Sequence, residues 1–247
     1  ATTILYMVTV ACSSSKAAAP PPKAPPYMPK FSYPSERSPD KLDVTIGLVN
    51  PQWAGSGTDY FSDNKGNPVT KGFIGGLRTS VNELLSNKGF NITGPFRSVG
   101  DMTFPEKKGA DLIVYLENDI SGGVNIANLR QKTVGEQVVT ICEATISVGG
   151  TISIIAKEPM SGEKMWVKRI EITAESIPVD INKIKTYPEL AQLCNKTDMP
   201  SDAKDDWGRM HVAMFQTVMK SLDTYINGEE FQSLKKQAAE LREKKRF

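Results

Sequence analysis

The chain has 247 residues, with 30 Lys and Arg against 28 Asp and Glu, a formal net charge of +2. That near-balance excludes the strong basic field of a nucleic-acid binder. One histidine and three cysteines show no zinc-ligand spacing, and the length allows one or two domains.

Taken in order, Ile4, Leu5, Tyr6, Met7, Val8 and Val10 form a short apolar run closed by the small Ala11 and then Cys12. It is too short to span a hydrocarbon core, which needs about 20 apolar residues, and it reads as the end of a secretory signal. Thr9-Val10-Ala11-Cys12 resembles the bacterial lipobox, with Thr9 where that pattern prefers Leu. Cys12 is then the expected lipid attachment site and residues 1–12 the remnant of a signal in a longer precursor. Residues 13–40 are rich in Ser, Ala, Lys and Pro, including Pro20-Pro21-Pro22 and Pro25-Pro26. Proline fixes φ and removes a donor, so this stretch is expected to be a disordered, semi-rigid tether. Its reach from Cys12 to Asp40 is at most ~85 Å at ~3.1 Å per residue.

The globular part is expected from residue 41 to 228, followed by a basic helix over 229–247. Alternating apolar residues in 43–49 predict a strand that Asn50-Pro51 ends. Residues 52–68 read as a long loop with Trp53, Tyr60 and Phe61, aromatics that either stack on a sugar or cover their own core. Val69, Phe73, Leu77, Val81, Leu84 and Leu85 share a helical face over 69–88, with Gly89 as the cap. Gly75-Gly76 inside it implies close packing rather than phosphate binding. Phe90–Thr93 is a strand and 94–109 a loop. Residues 111–120 are a buried strand broken by Gly122-Gly123, and 124–135 an exposed basic loop. Residues 137–173 form an antiparallel meander, in which Gly149-Gly150 is a bend or a turn and 158–163 is a turn. Residues 174–202 are mainly connection. Helices follow at about 202–226, with Trp207, His211, Met214, Phe215, Val218 and Leu222 on one face and Gly228 as the stop, and from Glu229 to about Arg246. The fold class is α+β: a mixed, largely antiparallel sheet with a helix on one face and two C-terminal helices.

If Cys12 carries lipid, Cys142 and Cys194 remain. In an oxidising compartment they form either one disulfide or two separate thiols. A bridge closing ~52 residues would contribute roughly 4 kcal/mol on the loop-entropy model.

Ile155–Glu163 resembles a turn of the neuraminyllactose-binding haemagglutinin family, outer-membrane lipoproteins of Helicobacter-type bacteria. The terminal Phe231–Arg246 is similar to that family's basic helix. The resemblance implies a lipid-anchored adhesin at the bacterial outer membrane, attached by its lipid and binding sialylated glycans or a host surface. The family's sugar-contacting basic run has its nearest match in Leu129–Thr133, where Arg130 and Lys132 would meet a sialate carboxylate. The competing reading is a structural or assembly lipoprotein whose basic tail helix touches another envelope protein.

No P-loop, G-x-S-x-G or zinc motif is present, and no pair among the acids is marked out for glycosidase chemistry. His211 falls on an apolar helical face and reads as a packed residue. Asp205-Asp206 suits a helix N-terminus. No enzyme activity, cofactor, metal or nucleic-acid partner is expected, and the oligomeric state is not encoded in any pattern.

Overall fold

Strand β1 (Thr45–Val49) is the pivot of the sheet, with β3 (Asn91–Phe96) on one side and β4 (Leu112–Val134) on the other, both parallel to it. The computed structural model describes residues 29–54, 68–134, 137–184 and 201–245. The remaining elements are β2 (Gln52–Trp53), α1 (Pro68–Asn87), a 3-10 turn (Val99–Asp101), α2 (Phe104–Gly109), β5 (Gln137–Lys157), β6 (Lys164–Ile184), α3 (Ser201–Tyr225) and α4 (Gly228–Lys245). The sheet order is β3-β1-β4-β5-β6, with β2 pairing β4. Because β4, β5 and β6 pair antiparallel, the sheet is mixed and the class is α+β.

The helix expected over 69–88 is α1, and Gly89 caps it at φ +92°. Its apolar stripe packs on α3 and shares one core with the inward residues of β1 and β4 and with α4. The shared core holds Ile46, Leu112, Phe73, Leu84, Trp207, Phe215 and Phe231. Phe231 is fully buried, 5.2 Å from the Phe90 ring and 5.3 Å from Trp166. Thus α4, set apart by its charge, packs into the same core as the rest. A smaller cluster of Val49, Met102, Ile113, Tyr115 and Ile155 lies apart from it.

Several expectations change. Gly122-Gly123 does not break β4, because both glycines stay in register with Val148 and Ser147 of β5. The neighbouring strand supplies the ladder that local propensity lacks. The loop expected over 124–135 is therefore strand as far as Val134, and the connection expected from 174 is strand to Ile184. Pro178 stands in β6 opposite Thr145. Among the described residues β6 is the outer strand of the sheet, where a proline is tolerated. Gly149-Gly150 is a bend within one strand: the register slips between Val148 and Gly150, and Gly150 has φ +143°.

The loop expected over 94–109 contains the end of β3, the 3-10 turn and α2. A capping box starts α2, with the Thr103 amide and hydroxyl both donating to Glu106 Oε2 at 2.7 Å. Gly228 begins α4 instead of ending α3. Asn227 caps that helix, its Oδ1 accepting from the Glu229 amide at 2.8 Å. Residues 29–40 have no regular structure but lie on the head, with Phe31 and Tyr33 packed against the main core.

Candidate functional site

The two segments that carry the family resemblance are 84 residues apart between Glu158 and Arg242, and they meet. Gly162 lets the turn after β5 reverse at φ +72°. The reversal aims the amides of Met160 and Ser161 back at the Glu158 carboxylate. From α4, Arg242 Nε donates to Glu158 Oε1 at 2.7 Å, and its Nη2 donates to the Ala110 carbonyl at 2.7 Å. Glu158 has no solvent exposure. Burial would raise its pKa, but the hydrogen bonds from Met160, Ser161 and Arg242 outweigh it and hold the carboxyl below its ordinary value. Lys245 reaches Glu163 of the same turn at 2.8 Å. Nearer the start of α4, Lys235 pairs with Asp43 at 3.1 Å and Asp111 at 3.3 Å. Three cations of α4 thus fasten it to the rest of the head.

His211 is fully buried, as its helical face implies. Its Nδ1 donates to the Trp207 carbonyl at 2.9 Å, and its ring lies tilted 4.3 Å from Trp207 and edge-on 5.8 Å from Phe73. Burial pushes its pKa down to about 4, against the smaller raising effect of the Trp207 bond. It is a neutral packing residue.

An open bowl of about 350 Å³ lies where α3 turns into α4 beside β6, lined by Lys168, Thr224, Tyr225, Asn227, Glu229 and Glu230. Glu230 is fixed in place, accepting from Trp166 Nε1 at 2.8 Å and lying 3.9 Å from Lys168 Nζ. Asn227 is held by its capping role. An aromatic ring, an amide and two carboxylates around a cavity of this size form a hydrogen-bonding surface suited to a hydroxyl-rich ligand. Two carboxylates against one ammonium disfavour an anion there.

The ladder sets Arg130 opposite Ile141 and Lys132 opposite Val139, two positions apart along β4. They lie in a strand, not in the expected loop. Cys142 pairs with Leu129 and Ile181 in adjacent strands. Its expected partner Cys194, the expected lipid site Cys12 and the aromatics Tyr60 and Phe61 lie outside the described residues. Sequence reasoning missed the bowl. Its one legible trace was Asn227 ahead of Gly228-Glu229-Glu230, which marks a helix start. Among the described residues no group of three or more His, Cys, Asp or Glu side chains could hold a metal ion. Among them, too, no helix is long and apolar enough to cross a membrane.

No protein-family model matches the chain, and no curated protein does. Among solved structures it is similar to a neuraminyllactose-binding hemagglutinin homolog from Helicobacter pylori. The identity is 12% and the TM-score 0.53, covering 87% of this chain and 100% of that one. At that identity the likeness shows a common fold. The lipoprotein GNA1162 from Neisseria meningitidis is 12% identical, with a TM-score of 0.23 over 61% of this chain and 92% of that one. A minor lipoprotein from Acinetobacter baumannii is 9% identical, with a TM-score of 0.22 over 72% and 93%. Scores that low carry no structural argument.

Proposed function

We propose that this chain is a non-enzymatic surface lipoprotein, lipid-anchored at Cys12 to the bacterial outer membrane, whose head is an adhesin for a glycan. The observation that carries the reading is the bowl beside α4, with its ring, amide and carboxylates arranged for sugar hydroxyls. The common fold with a hemagglutinin homolog supports it. Membership of the haemagglutinin family rests on the turn and basic-helix segments, which pack together here. The buried ionisable groups Glu158 and His211 are engaged in packing and internal hydrogen bonds, which supports binding over catalysis.

Within this reading the bowl takes a neutral sugar unit. A sialylated ligand needs a cationic contact instead, and Arg130 with Lys132 supplies one. A glycan array on the full chain tests both arms. Glu229→Gln with Tyr225→Ala should abolish neutral-glycan signal, and Arg130→Ala with Lys132→Ala should abolish any sialylated signal. Silence across the array for the wild-type chain removes the adhesin reading. Mass spectrometry of the native N-terminal peptide decides lipidation separately, since an unmodified Cys12 thiol removes the anchor alone.

A further inference from the structure

Gly72 and Gly76 lie one helical turn apart on α1 and open a trough along it. Phe31 lies in that trough. A Cβ on Gly72 would stand 2.9 Å from the Phe31 ring, and one on Gly76 would collide with the Phe31 Cβ and stand 3.0 Å from its carbonyl oxygen. The ring packs edge-on against Phe73 at 5.9 Å and Phe215 at 5.7 Å, one from each helix flanking the trough. The segment that follows stays bonded to the same two helices. Gln216 Nε2 donates to the Ser32 carbonyl at 3.0 Å, and Tyr33 donates to Asp223 at 3.0 Å. Asn87 Nδ2 donates to Ser35 Oγ at 2.8 Å, and the Ser38 amide donates to the Asn87 carbonyl at 2.6 Å.

We propose that the trough between α1 and α3 is a docking site for an extended, aromatic-bearing segment, and that residues 29–40 of this chain occupy it as a strap. Residues 29–40, expected from the sequence to belong to the tether, are then part of the head. A Cβ on Gly76 would also stand 3.3 Å from Phe215 of α3, whereas one on Gly75, the adjacent glycine of the same helix, would meet nothing within 4 Å.

Limited trypsin digestion of the full chain tests the proposal, because backbone cleavage requires local detachment. The bond after Arg37 lies inside the strap and the bond after Lys23 lies upstream of it. Cleavage after Arg37 should be slower than after Lys23 by on the order of tenfold. Gly76→Ala should erase the difference while the head keeps its helical circular dichroism, since alanine is the better helix former. Phe31→Ala, which leaves α1 untouched, should do the same, and Gly75→Ala should leave the protection intact. Equal cleavage at the two bonds in the wild-type chain overturns the proposal. So does protection after Arg37 that survives both Phe31→Ala and Gly76→Ala.

Discussion

The two ends of the described chain are held to the head by opposite chemistry. At the C-terminal end, α4 is fastened by charge: Arg242 to Glu158, Lys235 to Asp43 and Asp111, Lys245 to Glu163. At the N-terminal end, the strap is fastened by an aromatic ring set into glycines, with hydrogen bonds behind it. Both ends look like surface features in one dimension, a charged tail and a proline-rich leader. Neither pattern shows what it touches, because each partner lies at a distance along the chain. Composition describes what a segment can bear in water, and only the fold decides whether water is what it meets.

The largest expected effect is at the charged end. Arg242→Ala leaves the Glu158 carboxylate buried without its cation, which should cost about 3 kcal/mol. Urea denaturation measures it, and a loss under ~1 kcal/mol would mean that the amides of Met160 and Ser161 suffice alone.

Acid should separate the two ends. His211 touches Phe73, which also holds Phe31, so it belongs to the aromatic end. Its folded pKa of about 4 lies below its ordinary 6.5, so between those values the unfolded chain binds the extra proton. Stability should therefore fall as pH drops through that window, by about 3 kcal/mol in total. The depressed Glu158 works lower. Its contribution is present above the ordinary 4.5 and is lost as pH falls below it. Denaturation midpoints at pH 7.0, 5.5 and 4.5 should decline in the wild type and flatten in His211→Phe; a flat wild-type profile contradicts the assignment.

Phe31→Ala comes next. The ring is only partly buried, so the cost should be roughly 1–2 kcal/mol, and it should not respond to salt. Lys245→Ala should be the smallest change. That pair is exposed on both sides, is worth less than ~0.5 kcal/mol, and should vanish near ~1 M salt. If the two responses to salt were reversed, the division into a charged and an aromatic end would fail.

Much of the fold was legible because periodicity reports burial. The stripe from Val69 to Leu85, the run from Gln137 to Lys157 and the face from Trp207 to Leu222 all became the elements their spacing predicts. What misled was local propensity where a neighbour overrode it. Gly122-Gly123 and Pro178 are weak strand formers alone, but the β5 ladder holds both. Thr103-Phe104-Pro105-Glu106 carries a readable helix start inside a stretch whose composition reads as loop. Gly76 implied close helix packing, and a Cβ there would stand 3.3 Å from Phe215 of α3, but its nearest neighbour is Phe31, far upstream in the chain. The bowl left almost no trace, since Lys168, Tyr225 and Glu230 come together only where α3 turns into α4 beside β6.

Pro178 has one more consequence. Its place opposite Thr145 suits the position whose nitrogen faces away from β5, and there the nitrogen carries no hydrogen. Among the described residues the outer margin of β6 thus lacks a donor at Pro178, in its second half. Where many such heads crowd together, a neighbour trying to zip onto that margin would meet a missing rung there.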